Sequence, residues 1–345
     1  MNEYPEKIVD EKELEALLSR PTSATVDMFK KMDGDIIFLG IAGKIGPSLA
    51  HMAKKASEMA GVSKRIIGVS RFSDQEERAY IESLGIETIK GNLLDEAFLA
   101  SLPKVKNVFF LAGMKFGSED NLSLTWAMNS FLPGLVAQHF KDSRIVAYST
   151  GCVYPLVQIG SGGSEEIDRP EAVGEYAQSC LGRERMFEYG SKANNTPVAL
   201  IRLNYAVEPR YGVIVDIATK VRAGRPVDLT MGYFNAIWQG DANDMVLRSL
   251  EHTSVPANII NITGKETLSV RNVVEKLAHL FGVVPCVEGE EAHTALLSNP
   301  DKSYELFGTP EVAIDRVIEW TAHWMEAEKK TLGKPTHFEV RDGKY

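Results

Sequence analysis

The chain has 345 residues, 44% hydrophobic and 25% charged, enough to bury a large core and long enough for two lobes rather than one. Its formal net charge of −9 and the absence of any Lys/Arg run exclude the concentrated positive surface that nucleic acid or an anionic membrane requires, while leaving small anionic ligands open. No apolar run approaches membrane-spanning length, and Cys152, Cys180 and Cys286 are too scattered for a disulfide framework or a zinc site, so a reducing cytoplasm is expected and no metal.

In chain order, the polar start Met1-Asn-Glu-Tyr-Pro-Glu-Lys7 carries no secretory or transit pattern. Residues 1–32 read as a helical arm: an amphipathic helix over Glu11–Ser19, a break at Pro21 and a second short helix over Ser23–Met32. Between residues 33 and 205, strand-length apolar runs at 35–39, 65–70, 86–90, 107–112, 144–149 and 197–203 alternate with helix-period segments. Those segments lie at 47–60, 74–84, 95–101, 121–140 and 172–190. Such alternation predicts an α/β fold with a parallel, doubly wound Rossmann sheet.

Beyond Arg202 the rhythm breaks at Pro209, Gly212, Gly224, Pro226 and Gly232, predicting a smaller α/β lobe over 206–330. Two of its segments, Asn235–Gly240 ahead of a helix from Asp241 and Asn258–Ile262 ahead of a helix at Ser269–Phe281, are expected to rejoin the sheet. Residues 331–345 form a polar tail in which His337 reads as a solvated side chain.

The first strand signal, Asp35-Ile-Ile-Phe-Leu39, runs directly into Gly40-Ile-Ala-Gly43-Lys-Ile-Gly46 and then a helix. Gly40 permits the tight turn, Gly43 lets the backbone approach a pyrophosphate, and Gly46 allows close helix–strand packing at an anion-attracting helix N-terminus. An ordinary glycine-rich βα turn shares this pattern, so other segments have to agree. At the end of the second strand, Ser70 and Arg71 stand where a carboxylate would bind a ribose diol. They suit the 2′-phosphate of NADP better, although Arg71 would equally stack on adenine or sit in solvent. The fifth strand ends Tyr148-Ser149-Thr150-Gly151-Cys152, and a helix opens with Glu175-Tyr176, followed by Cys180 and Arg183.

Taken together, the glycine turn, the hydroxyl-bearing strand end and the helical tyrosine resemble the extended short-chain dehydrogenase/reductase family of NAD(P)-dependent sugar-nucleotide epimerases, dehydratases and reductases, over residues 35–280. The resemblance implies cofactor contacts at Gly40, Ala42, Gly43, Lys44, Ile45 and Gly46, at Ser70 and Arg71, and at Asn92 and Leu93. It implies further ones at Leu111, Ala112, Gly113 and Lys115, at Asn129 and Tyr176, and at Leu203 and Asn204. Substrate contacts are implied at Lys115, Thr150, Tyr205 and Arg210, although for Arg210 surface salt-bridging is the stronger reading, since lone arginines are mostly exposed. Thr150 matches the hydroxyl that bonds a substrate oxygen, and Tyr176 matches the proton-transferring phenol. A phenol is a poor base near neutrality until positive charge stabilises its anion.

The family supplies that charge from a lysine four positions on, where this chain has Cys180. Arg183, two turns beyond Tyr176 on the same helix face, is the candidate replacement and Lys115 the second. The alternative is that Arg183 pairs with Glu184 or Glu188 on a solvated face and Cys180 is a small buried hydrophobe. Dehydratases carry an Asp-Glu pair where Gly151-Cys152 stand here, so the resemblance favours an epimerase or reductase acting on a sugar or sugar-nucleotide through a keto species, with NADP somewhat favoured over NAD. The other reading is a non-catalytic NAD(P)-binding sensor or scaffold. The resemblance also implies a homodimer built on the helices at 121–140 and 172–190, and a structural task for Asp241 after Trp238.

Overall fold

The computed structural model describes residues 4–115 and 121–344. Seven parallel strands form the central sheet: β1 (Ile36–Leu39), β2 (Ile66–Ser70), β3 (Glu87–Lys90), β4 (Asn107–Phe110), β5 (Arg144–Thr150), β6 (Val198–Leu203) and β7 (Asn258–Ile262), in the order β3-β2-β1-β4-β5-β6-β7. The strands β1, β4 and β5 are almost wholly buried because helices cover both faces, which is why they read as unbroken apolar runs. Alternate residues serve alternate cores. Phe38, Phe109, Val146 and Ile201 face one side, with Phe38 stacked on Phe109 at 4.8 Å, and Ile37, Val108, Ile145 and Leu200 face the other. The strand order reverses between β1 and β4, opening a crevice beyond their carboxyl ends, flanked by Gly40 and Leu111.

The arm is integral rather than accessory. Its helices α1 (Glu11–Leu18) and α2 (Ser23–Lys31) begin at Asp10 and Thr22, whose side chains accept the backbone N–H groups of Glu13 and Thr25. Leu14 and Leu18 enter the core of the second lobe with Trp238 and Trp320, whereas Met28 and Phe29 pack under the sheet. The helix Gln239–Arg248 receives both, its Asp244 accepting from the Thr22 and Thr25 hydroxyls and its Asn243 donating to the Leu18 carbonyl.

Two expectations are corrected. Asn258–Ile262 rejoins the sheet as β7, but Ile237-Trp238 does not. That pair lies parallel to Ala206-Val207 in a separate two-stranded sheet, because Tyr205 turns the chain away with φ 44° and β7 occupies the place beside β6. The tail is not a loose polar segment either. Phe338 is 1% exposed in the second-lobe core, Thr336 donates through its backbone N–H and hydroxyl to Asp216, and the Arg341 guanidinium donates to the Thr294 carbonyl.

The expected helix at 121–140 runs over Leu122–Trp126 and Leu132–His139 with a π turn, Ala127–Phe131, between them. Pro133 explains the wide turn, since it lacks the N–H that would bond the Asn129 carbonyl one α-turn back and its ring would strike that oxygen.

Candidate functional site

A cavity of about 350 Å³ occupies the crevice, lined by Gly40, Gly43, Lys44, Ile45, Gly46, Leu111, Gly113, Met114, Lys115, Tyr148, Ser149, Thr150, Tyr176, Arg183, Leu203, Tyr211 and Lys334. On one wall the glycine turn has the geometry its residue types demand. Gly40 has φ 92° and a Cβ there would lie 2.6 Å from the Ala112 nitrogen; one on Gly46 would lie 2.0 Å from the Ile41 carbonyl oxygen. Gly43 instead is exposed to the cleft, and its missing Cβ would approach only the Gly40 carbonyl oxygen, at 3.5 Å. The helix Gly46–Met59 starts there with no side-chain cap, and Gly43, Lys44, Ile45 and Gly46 line the cavity at its N-terminus, an arrangement that suits an anion.

The opposite wall is built on the helix Gly174–Asn194, whose buried face presents Cys180, Arg183, Glu184 and Phe187 along consecutive turns, below the partly exposed Tyr176. Thr150 and Tyr176 line the cavity together. Burial drives the Tyr176 phenol well above its ordinary range, nearby Cys180 and Cys152 push it further, and the Arg183 guanidinium and the Thr150 hydroxyl pull it back. The Lys115 ammonium stands 5.8 Å from the centre of the Tyr176 ring and donates to the Thr336 carbonyl at 3.1 Å.

Arg183 does not pair with Glu184 or Glu188. Buried at 6% exposure, it donates to the Tyr148 carbonyl and to Asn129 Oδ1, both at 2.8 Å, and a Cβ on Gly113 would lie 2.4 Å from its Nη2. Glu188 pairs with Arg185 instead. Glu184, fully buried, holds Arg202 through two bonds of 3.0 and 2.7 Å and accepts from the Ser149 hydroxyl at 2.5 Å. Cys180 is the small buried residue of the alternative reading, packed beside Val153 and Tyr154.

Other sequence-predicted residues fall outside the cavity lining. Asn129, on the π turn, fixes Met114 by accepting its N–H and donating to its carbonyl, each at 2.8 Å. Ala42 and Ala112 pack behind the turn. Ser70, the exposed Arg71, Asn92 and Leu93 lie along the β2–β3 edge, where Asn92 caps the Leu94 N–H. Asn204 is taken up by Asn235, and Tyr205 packs edge-on against Phe234 at 6.2 Å. Arg210 is turned away from the crevice, its guanidinium bound by Glu208 and Glu15. Asp241 has its expected structural task, accepting the Val312 N–H at 3.0 Å, with burial raising its carboxyl to about 7.

Sequence reasoning did not select Tyr211 or Lys334. Both come from irregular segments, where periodicity is silent; Gly333-Lys334-Pro335, a turn signal ahead of the apolar Phe338, is the trace Lys334 leaves in the sequence. Lys44, Lys115, Arg183 and Lys334 line the cavity, and among the described residues no carboxylate does. The described residues also contain no group of three His, Cys, Asp or Glu able to hold a metal, and no helix long and apolar enough to cross a membrane.

No protein-family model matches the chain, and no curated protein matches it in sequence. Solved structures do match. UDP-glucuronic acid 4-epimerase from Bacillus cereus in complex with NAD is 18% identical with a TM-score of 0.71, covering 86% of this chain and 100% of that one. MoeE5 in complex with UDP-glucose and NAD is 18% identical with a TM-score of 0.68, covering 85% and 99%. DesIV, a dTDP-glucose 4,6-dehydratase from Streptomyces venezuelae with NAD bound, is 18% identical with a TM-score of 0.72, covering 85% and 97%. At this identity the likeness is one of fold: the chain shares the Rossmann architecture of these structures.

The Glu184–Arg202 pair underneath the site predicts a stability effect. Glu184→Gln leaves a guanidinium buried without its counter-charge and should lower the unfolding free energy by about 3–5 kcal/mol in urea melts, while Glu184→Leu combined with Arg202→Met should recover most of the loss. A single-variant loss below about 1 kcal/mol would show that the pair does not hold the two elements together.

Proposed function

We propose that the chain is an NAD(P)-dependent epimerase or reductase acting on a sugar or sugar-nucleotide through a keto species. The observation that carries this reading is the Thr150 hydroxyl and Tyr176 phenol lining one cavity with the buried Arg183 guanidinium and the uncapped glycine turn. The residues fit a dinucleotide. Gly43 leaves room for close approach, the helix N-terminus offers unpaired N–H groups, the lining is cationic, and Arg183 Nε is buried with no partner among the described residues.

A bound nicotinamide dinucleotide would take up or return the hydride at the substrate's carbinol carbon. Tyr176, kept protonated by burial, donates its proton to the substrate oxygen in carbonyl reduction and recovers it in alcohol oxidation. Thr150 holds the same oxygen by a hydrogen bond, and Arg183 supplies the positive field that lets the phenol ionise, the part the Cys180 thiol cannot play. Elimination of water requires an acid and a base beside the sugar, and no carboxylate lines the cavity among the described residues, which supports epimerisation or reduction over dehydration. Arg71 at the β2 end supports NADP over NAD, and three unpaired cysteines suit the reducing cytoplasm.

A homodimer through the helices 122–139 and 174–194 belongs to the same reading. Trp126, Phe131, Met186 and Tyr189 on those helices are 39%, 54%, 38% and 73% exposed, a set of large apolar side chains that a second copy would cover.

With NADPH or NADH and a panel of keto-sugars, wild type should turn over, Tyr176→Phe should lose about a hundredfold or more while still binding coenzyme, and Arg183→Ala should lose more activity than Arg183→Lys. Equal turnover in wild type and Tyr176→Phe would refute the catalytic assignment and leave the coenzyme-binding scaffold. Sedimentation should give a dimer for wild type and a monomer for Trp126→Glu with Tyr189→Glu; a wild-type monomer would remove the dimer.

A further inference from the structure

Lys44 differs from the other cations of the cleft in what holds it. Its ammonium reaches from the glycine turn across the crevice to the second lobe, donating to the Ala206 carbonyl at 3.2 Å and standing 3.5 Å from the centre of the Tyr211 ring. Both acids near it are committed elsewhere. Glu208 accepts from the Arg210 backbone N–H and guanidinium, and Asp216 accepts from Thr336. Lys115 and Arg210 add positive charge, and Arg183 and Lys334 line the same cavity. A partly buried ammonium is thus held by a carbonyl dipole and a ring face, beside the uncapped N-terminus of Gly46–Met59.

We propose that Lys44 is a phosphate clamp: its ammonium is the counter-charge for a phosphate of the dinucleotide seated on the glycine turn, and it takes hold by letting go of Ala206 and Tyr211. This rests on the dinucleotide reading of the cleft and goes beyond it, since that reading gives the Lys44 ammonium no phosphate to hold and no contacts to release. Burial, opposed by Glu208 and reinforced by Lys115 and Arg210, brings the free Lys44 ammonium down to about 7. A phosphate beside it favours the charged form, so the group titrates higher in the complex. The sign follows from linkage: affinity is full below about pH 7 and falls as pH rises, because above that point binding must take up a proton. Release of Ala206 and Tyr211 also unties the glycine turn from the second lobe, coupling occupancy of the turn to the position of that lobe.

The probes are NADH and ADP-ribose, neither of which titrates between about pH 6 and 9, measured by fluorescence and calorimetry on full-length protein whose folding is checked by circular dichroism. Wild-type affinity should fall toward about tenfold per pH unit above about pH 7, with proton uptake seen as a buffer-dependent heat. Lys44→Arg should bind both probes with no such slope, and Lys44→Met should bind about tenfold or more weakly at about pH 6, also without slope. Wild-type affinity and slope in Lys44→Met would overturn the clamp, as would an unchanged slope in Lys44→Arg should the methionine variant not fold. Failure of wild type to bind either probe would instead bring down the dinucleotide reading and the clamp with it.

Discussion

The site depends on one buried charge held without a counter-charge among the described residues. Taking a guanidinium out of water costs several kcal/mol unless its donors are satisfied, and Glu184, the acid next to Arg183 in sequence, is committed to Arg202. Arg183 is left to a backbone carbonyl and an amide oxygen. Neutral acceptors bond both terminal nitrogens without cancelling the charge, so a net positive field persists beneath the cavity. That requirement reaches outward. Gly113 has to lack a side chain where Nη2 lies, Asn129 has to point inward from the π turn, and Ser179 has to accept from the Asn129 amide at 3.0 Å.

The sheet was legible because strands covered on both faces are apolar throughout, and the expected boundaries fell within about two residues of those observed. Gly40, Gly43 and Gly46 were legible because each answers a backbone constraint that no other residue meets. Arg183 was only half legible. Helical spacing places it on the face of Tyr176 but does not say whether anything covers that face, and the solvated ion pair was the stronger reading of the sequence, overturned because Glu184 pairs with Arg202 and Glu188 with Arg185. The π turn escaped because a proline in an otherwise periodic segment signals a disturbance without its form. Ile237-Trp238 escaped because a two-residue strand carries no periodicity at all. The tail's anchor is a single aromatic residue in a polar stretch, too sparse a pattern for a packed element, yet Phe338 is among the most buried side chains of the second lobe.

Charge is distributed against the average. The chain is acidic overall, yet the cavity is lined by Lys44, Lys115, Arg183 and Lys334. Screening limits exposed charges to a range of about 8 Å in physiological salt, so an approaching polyanion meets mainly the acidic exterior while a small anion inside the crevice meets only the cations. Acids near this field are engaged by other groups, Glu208 in an ion pair with Arg210 and Asp216 as acceptor from the Thr336 N–H and hydroxyl.

The contacts that join the lobes are of two strengths, and their placement matters. Away from the crevice the junction is a packed core: Leu14 and Leu18 bury against Trp238 and Trp320, while Thr22 and Thr25 bond Asp244, and this side does not open without exposing apolar surface. Across the crevice mouth the links include Lys44 to Ala206 and Lys115 to Thr336, each an ammonium on a neutral carbonyl. Such a bond contributes about 1.5–3 kcal/mol at most, and an anionic acceptor replaces it readily because it adds a Coulomb attraction to the ammonium that a neutral carbonyl lacks. Packed at the back and latched by lysines at the front, the crevice keeps its shape while both ammonium groups stand where an anionic ligand would claim them.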